Sequence, residues 1–271
     1  MTTWILLRGL AREARHWGRF GGKLEARLGA GHIVRALDLP GMGAANGLPS
    51  PMSVAGIAAE CRARLLAQGA KPPWVLVGLS LGGMVAIEWS RRWPGEVTAC
   101  AIVNSSDHSS APAERLSLRS MWRIAMMFLP GMPVRQRERQ VLAMTSNGSP
   151  HDGLVTVWTQ FARSRPVTRL NVMRQLWAAA RYLAPPGLSV PGLVIASAND
   201  RLVAPVCSGR LAQRFGWTLR VNPSAGHDLP LDDPAWLAEV LAEWSQDCHA
   251  IAINASSQLQ TLRVIPTKER T

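Results

Sequence analysis

Residues 74–83 have the sequence WVLVGLSLGG, and this stretch decides the fold. The apolar run Trp74–Val77 is typical of a strand that is buried on both faces of a parallel sheet. The Gly-x-Ser-x-Gly pentapeptide that follows places Ser80 between this strand and a predicted helix, Leu81–Arg92. Strand, sharp turn and helix in this order present a serine hydroxyl at the sheet edge, and the flanking glycines leave room for the turn.

Strand and helix signals alternate on either side of this stretch. Short apolar runs predict the strands, and apolar residues at helical spacing predict the segments between them. The predicted strands are Trp4–Leu7, His32–Leu37, Trp74–Val77, Val97–Val103, Leu188–Ala196 and Leu219–Val221. The predicted helices between and after them are Ala14–Leu28, Ser53–Leu66, Leu81–Arg92 and Pro234–Trp244. This alternation predicts an α/β fold with a mostly parallel sheet of about six strands and helices on both faces.

The pattern changes between residues 105 and 185. This region has no strand-like run, and its helical stretches are Ala113–Leu129, Pro133–Met144, Gly153–Arg163 and Val167–Leu183. An insertion here predicts a helical cap over the carboxyl edge of the strands, where α/β folds bind ligands. We therefore divide the chain into a core (residues 1–104 and 186–246), a cap region (residues 105–185) and a C-terminal tail (residues 247–271). The tail is expected to be loosely ordered, although its Leu-Arg-Val-Ile run at residues 262–265 could pack or pair.

Composition and charge limit the class of function. The chain has 271 residues, 47% of them hydrophobic, which suits one large globular unit with an inserted region and excludes a disordered chain. The net charge of +12 comes from arginine, but the basic residues form no long block and no nucleic-acid motif is present. We therefore predict no nucleic-acid partner, while the charge favours the steering of anionic substrates.

Cysteine spacing and hydropathy bear on metal binding and on the cellular location of the protein. Cys61, Cys100, Cys207 and Cys248 lack the spacing of a metal site and are expected to be reduced thiols. The short apolar run after Met1 lacks the basic region of a signal peptide, and no stretch approaches the length of a membrane span. The sequence therefore predicts a cytoplasmic protein, monomeric or homodimeric, with no metal, no organic cofactor and no membrane span.

Two further residues complete a predicted catalytic set with Ser80. A serine hydroxyl needs a base to take its proton, and His227 lies between the last predicted strand and the last predicted helix. An imidazole needs a carboxylate to fix its tautomer, and Asp200 follows the penultimate strand in the chain order Ser, Asp, His. Asp107, which follows the strand ending at Val103, is the alternative acid. Asp228, next to His227, is expected to point away from the imidazole.

In these features the chain resembles the α/β-hydrolase superfamily, and within it the small capped serine esterase-like hydrolases of bacteria. The matching motifs are RGL at residues 8–10, DLPGMG at 38–43, GLSLGG at 78–83, DRLV at 200–203 and GH at 226–227. The resemblance implies that the backbone N–H groups of Leu10 and Leu81 form an oxyanion hole for a tetrahedral intermediate. The two antiparallel strands that usually lead this fold have no counterpart before Trp4.

Arg8 is a second departure, because members of the family usually have a histidine at this position. The guanidinium could bring a cation to the site and favour a carboxylate-bearing substrate, or it could form a structural ion pair with an Asp or Glu nearby. Two more residues are candidates for substrate binding. His16 lies near the catalytic edge, and Trp122 lies in an apolar stretch of the cap region.

The resemblance implies a serine hydrolase that cleaves a carboxylic ester or a related acyl bond of a small-molecule substrate through an acyl-enzyme. Dehalogenases and epoxide hydrolases of this family have an aspartate where Ser80 stands. One alternative is a C–C bond hydrolase or a pyruvate-eliminating lyase of the menaquinone-pathway type. Such lyases tend to carry an arginine where Met84 and Val85 stand. The other alternative is a non-catalytic ligand receptor that retains the triad.

Overall fold

A parallel sheet lies at the centre of the protein. The computed structural model describes residues 1–127, 131–148 and 151–246, so the predicted tail lies outside the described residues. Within them the sheet has six strands in the order β2-β1-β3-β4-β5-β6, and every neighbouring pair is parallel. The strands are β1 Thr2–Leu7, β2 His32–Leu37, β3 Trp74–Leu79, β4 Val97–Val103, β5 Gly192–Ser197 and β6 Thr218–Asn222. The predicted α/β fold and its parallel sheet are therefore confirmed.

Helices cover both faces of this sheet and also fill the region between β4 and β5. The helices of the core are α1 Phe20–Leu28, α2 Val54–Ala67, α3 Leu81–Arg92, α9 Pro205–Phe215, α10 Leu229–Asp232 and α11, residues 234–246. Those of the cap region are α4 Pro112–Arg115, α5 Leu118–Met127, α6 Val134–Thr145, α7 Asp152–Ser164 and α8 Arg169–Arg181. In the part of the chain that the structure describes, no helix is both long and apolar enough to cross a membrane.

The side chains of β3 divide between two apolar layers, one on each face of the sheet. Trp74 and Leu76 pack with residues of α2, α3 and α9, whereas Val75 and Val77 pack with residues of α1 and α11. The whole strand is buried. This explains why its sequence is continuously apolar instead of alternating, and it fixes the strand that carries Ser80 at the centre of the sheet.

Local signals set several helix ends. The Ser53 Oγ accepts a hydrogen bond from the Gly56 N–H at 3.1 Å and caps α2. In the same way, the Thr168 Oγ1 accepts from the Asn171 N–H at 3.1 Å and caps α8. At the other end of a helix, α9 stops at Gly216, whose φ of +65° suits a residue without a Cβ.

The structure corrects three predicted elements. The helix predicted over Ala14–Leu28 is a 3-10 turn at Ala14–Trp17 followed by α1, because the chain takes a positive φ at Gly18. The stretch Ala113–Leu129 forms α4 and α5, separated by the extended Leu116, and its last two residues lie outside the described part. The strand predicted from Leu188 begins only after Pro191, which has no N–H for the ladder.

Candidate active site

Ser80 lies in the turn that joins β3 to α3. Its backbone has φ +56° and ψ −118°, a conformation that is strained for a residue with a side chain. Its N–H donates to the Val103 carbonyl at 2.8 Å, and its own carbonyl accepts from the Gly83 N–H at 2.9 Å. The turn is therefore held from both sides, and it presents the hydroxyl at the carboxyl edge of the sheet.

The glycines on either side of Ser80 are required by close backbone contacts. A Cβ on Gly78 would overlap the Gly82 carbonyl, and a Cβ on Gly82 would overlap the carbonyl of Leu7. The first turn of α3 thus lies directly against the end of β1. This contact brings the loop that follows β1 next to Ser80.

His227 and Asp200 lie together in the loops that follow β6 and β5. The His227 Nδ1 is 2.7 Å from the Asp200 Oδ2, and both side chains are buried. The other carboxylate oxygen of Asp200 accepts the backbone N–H groups of Leu202 at 2.8 Å and Val203 at 2.9 Å. These bonds fix the orientation of the carboxylate beside the imidazole. His227 also lines the cavity that contains Ser80.

Asp107, the alternative acid, has other partners. Its carboxylate accepts from the Arg214 Nη1 at 2.5 Å, from the Ser109 Oγ at 2.5 Å and from the Ala184 N–H at 3.0 Å. Burial alone would raise the pKa of Asp107, but the bonds from Ser109, Ala184 and Arg214 together lower it. Asp107 therefore joins the two ends of the cap region to α9, while the acid that contacts His227 is Asp200.

Core and cap region enclose the cavity together, and its volume is about 170 Å³. Ser80, His227 and Leu10 lie on the core side. The cap region lines the opposite side of the cavity with both apolar and polar side chains. The apolar part consists of Ile124, Met127, Val141, Met144, Ala162, Val167 and Val172, and the polar part consists of Arg137, Glu138, Thr145, Arg165 and Arg169. The arrangement offers an apolar surface next to a serine and an imidazole.

Leu10 and Leu81 place two backbone N–H groups near Ser80. Leu81 is the first residue of α3, so its N–H has no acceptor within the helix. Leu10 lines the cavity in the loop after β1. In the described residues, neither the Leu10 N–H nor the Leu81 N–H donates to a backbone carbonyl of a turn, loop or helix cap.

Arg8 forms an ion pair, which is the second of the two roles predicted for it. Its Nη1 and Nη2 donate to the Asp228 Oδ1 and Oδ2 at 2.9 and 2.7 Å, in a bidentate arrangement. The exposed fractions of the two side chains are only 2% and 3%. The carboxylate of Asp228 is therefore directed to Arg8, as expected from its position next to His227. Both residues also line the cavity.

His16 and Trp122, the two other predicted substrate-binding residues, lie in very different places. His16 is buried in the cavity wall, where its Nε2 accepts from the Arg12 Nη1 at 3.1 Å. Burial, followed by the charges of Arg12 and Arg8, lowers the pKa of His16 well below its usual value, so the ring is neutral. Trp122 is 69% exposed and is not among the cavity-lining residues, so the structure does not bring it to the site.

The segment that connects the carboxyl edge of the sheet to the cap region carries no recognisable sequence signal. We call residues 11–16, which follow the Arg8-Gly9-Leu10 loop, the tether segment. Three of its residues donate hydrogen bonds to three different helices of the cap region. The bonds are Arg12 Nη1 to Glu138 Oε2 at 2.7 Å, Arg15 Nη2 to the Phe161 carbonyl at 3.2 Å, and the Ala11 N–H to Gln175 Oε1 at 3.2 Å. No local pattern pairs residues that lie so far apart along the chain.

Across residues 1–127, 131–148 and 151–246, no three or more His, Cys, Asp and Glu side chains are grouped so that they could hold a metal ion. Cys61, Cys100 and Cys207 are buried free thiols, and burial raises the pKa of Cys61 and Cys100 to about 12. Cys248 lies outside the described residues.

Comparison with known proteins places the chain in a family. Residues 4–240 match the family model of the alpha/beta hydrolases. A pimeloyl-(acyl-carrier protein) methyl ester esterase of Chromobacterium violaceum is 30% identical over 203 residues, which cover 72% of this chain and 76% of that protein. Two solved structures share the fold. They are a thermophilic esterase from Thermogutta terrifontis (TM-score 0.71, 20% identity, covering 92% of this chain and 91% of that one) and the esterase EaEST from Exiguobacterium antarcticum (TM-score 0.73, 12% identity, covering 91% and 92%). The chain therefore belongs to the alpha/beta hydrolase family.

Proposed function

We propose that the protein is a serine hydrolase that cleaves carboxylic esters, with Ser80, His227 and Asp200 as its catalytic residues. The observation that carries the proposal is the 2.7 Å bond between the Asp200 Oδ2 and the His227 Nδ1, in a cavity that Ser80 also lines. Because the carboxylate holds Nδ1, the Nε2 of the same ring is left to accept the Ser80 proton. The methyl ester esterase among the relatives supports the choice of an ester as the bond that is cleaved.

The reaction has two steps. Ser80 Oγ attacks the acyl carbon while His227 takes its proton, and the protonated imidazole then passes this proton to the departing alcohol. The resulting acyl-enzyme is attacked by water, which His227 deprotonates in turn, and the carboxylic acid leaves as Ser80 regains its proton. In both steps the N–H groups of Leu10 and Leu81 are the donors available to the oxyanion. Asp200 orients the ring of His227 and stabilises the imidazolium that forms.

The apolar wall of the cavity favours an acyl group with apolar character. Burial of one methylene group contributes about 0.8 kcal/mol, which corresponds to roughly a fourfold change in kcat/KM for each carbon that contacts the wall. A series of esters that differ only in acyl length therefore measures how far the wall extends. We expect kcat/KM to rise with acyl length and to level off when the chain outgrows the cavity.

The decisive experiment compares Ser80→Ala with a matched serine variant. Ser90 is also buried in α3, and its Oγ donates to the Ala86 carbonyl at 2.8 Å, far from any proposed chemistry. We expect Ser80→Ala to lower kcat on p-nitrophenyl esters on the order of 10⁵-fold or more. Ser90→Ala should keep kcat within a few-fold of the wild type. A fluorophosphonate probe should label the wild type and Ser90→Ala but not Ser80→Ala.

Two results would contradict the proposal. If the wild type turns over no ester and is not labelled, Ser80 is not an activated nucleophile. If the probe labels Ser80 but no ester of any acyl length is cleaved, the ester assignment is wrong, and a C–C bond hydrolase or a lyase becomes the better reading of the same catalytic set.

A further inference from the structure

Arg8 and Asp228 connect two loops that approach Ser80 from opposite sides. Arg8 follows β1, and Asp228 follows the loop after β6. In the sheet, β3, β4 and β5 lie between these two strands, so their axes are about 19 Å apart at ~4.8 Å per strand. A direct bidentate bond between the two side chains therefore requires both loops to turn inward over the strand end that carries Ser80. The ion pair fixes the distance between those loops.

Stability of the fold alone does not account for this pair. Its side chains are 2% and 3% exposed, so both charges have lost nearly all their hydration. The Arg8 Nε is buried as well and has no hydrogen-bond partner, which adds a desolvation cost. Replacing a buried ion pair with apolar residues of similar volume is often neutral or stabilising. The position of the Arg8–Asp228 pair, between the groups proposed for catalysis, therefore points to a role in the site.

Arg8 and Asp228 each lie within two residues of a group proposed for catalysis. On one side, Arg8 precedes Gly9 and Leu10, and a Cβ on Gly9 would lie 3.2 Å from the Cβ of Ser80. On the other side, Asp228 directly follows His227, and its N–H donates to the Thr145 carbonyl at 2.7 Å. The guanidinium of Arg8 also lies 5.1 Å from the ring centre of Trp17, which restricts its position further.

We propose that Arg8 and Asp228 are a positioning pair that holds the Leu10 N–H and the His227 imidazole in register around Ser80. This inference rests on the ester hydrolysis proposed above. Both groups must act on the same tetrahedral centre, one as a donor to the oxyanion and the other as the proton carrier. Displacement of either by a fraction of an ångström weakens transition-state stabilisation while leaving substrate binding nearly unchanged.

The test replaces the whole pair, because a single neutral substitution would leave one buried charge without a partner. The variant is the double substitution Arg8→Met with Asp228→Leu. Its matched control is Arg62→Met with Glu96→Leu, which removes another bidentate arginine–carboxylate pair, one outside the cavity lining. Active sites are counted by fluorophosphonate titration, so that kcat refers to folded protein only. The second readout is the affinity for phenylboronic acid, which forms a tetrahedral anion on an activated serine.

We expect the double variant at Arg8 and Asp228 to lose about 10²-fold in kcat, with KM within about threefold of the wild type. Its affinity for phenylboronic acid should fall in parallel with kcat. The control double variant should keep both values. Arg8→Lys retains the positive charge but loses the planar guanidinium that donates two parallel hydrogen bonds to Asp228. It is the second variant, for use if the double variant does not fold. We expect it to lose about tenfold in kcat.

A kcat within twofold of the wild type, in either the double variant or Arg8→Lys, would overturn the positioning role while leaving ester hydrolysis intact. Loss of thermal stability with unchanged kcat per titrated site would do the same, because it would make the pair structural only. Failure of the proposed function has a different signature, since the wild type itself would then cleave no ester.

Discussion

The carboxyl edge of the sheet and the cap region place their groups around the cavity by different means. At the sheet edge the backbone sets the positions, as shown by the φ of +56° at Ser80 and by the two N–H groups that hold Asp200. In the cap region side-chain packing sets them, and its links to the tether segment join residues 126 and 164 positions apart along the chain. Under the proposed function this difference becomes a division of labour, in which the sheet edge performs bond cleavage and the cap region selects the acyl group.

The largest effect expected within this comparison distinguishes Asp200 from Asp107 as the acid that acts on His227. Asp200→Asn should lower kcat on the order of 10⁴-fold, because the asparagine amide cannot hold the same imidazole tautomer or stabilise its charged form. Asp107→Asn removes an acceptor of Arg214 instead, so it should lower the melting temperature while kcat stays within a few-fold. Steady-state kinetics and thermal unfolding of both variants provide the measurement. A kcat loss at Asp107 equal to that at Asp200 would contradict the assignment.

The next effect tests the cap region through Trp158. This side chain is 3% exposed, packs with Leu142 and Val155, and lies under the Arg12 guanidinium at 5.3 Å from the ring centre. Trp158→Ala should therefore lower the free energy of unfolding by about 3–5 kcal/mol, as measured by urea titration. If the division of labour holds, KM for long-chain esters rises while kcat for p-nitrophenyl acetate is nearly unchanged.

A matched variant keeps that test interpretable. Trp177 lies in α8 and is half exposed, so Trp177→Ala should change neither stability nor KM appreciably. Trp158→Ala could instead lower kcat for the acetate ester as much as is expected for Asp200→Asn. That result would show that the cap region takes part in bond cleavage and would contradict the division of labour.

The smallest effect is expected at Trp122. Because this side chain is 69% exposed and lies away from the cavity, Trp122→Ala should change the free energy of unfolding by no more than about 0.5 kcal/mol. KM for esters of every acyl length should match that of the wild type. A several-fold rise in KM restricted to long-chain esters would instead mean that substrate reaches Trp122, and the substrate site would then extend beyond the residues that line the cavity.

The residues at the carboxyl ends of the strands were the most predictable part of the site. The buried run of β3, its glycines and the order of the strands were sufficient to locate Ser80, Asp200 and His227 at one edge, because parallel strands end on the same side. Their roles stay predictions until the kinetic tests are made. The break at Gly18 was missed because the apolar spacing continues across the glycine, even though the backbone does not.

The cap region was less predictable for a physical reason. Helical spacing identifies which residues share a face but not which face meets the cavity, so Trp122 and the residues of the actual wall could not be told apart. Polar partners such as the partly buried Arg12 and the buried Glu138 carry no local signal, since each is an ordinary charged residue in its own segment. Arg8 is an intermediate case, in which an ion pair was foreseen but its partner was not.

The tether segment has a consequence for protein engineering. The cap region departs after β4 and returns before β5, and these strands are parallel neighbours, so its helices form one insertion in the crossover that joins them. By chain position such an insert is a self-contained module. Arg12 breaks that modularity, because a cap from another protein would remove its carboxylate partner Glu138. The unit to be exchanged in a chimera is therefore discontinuous, because residues 11–16 have to be transferred together with the cap helices they contact.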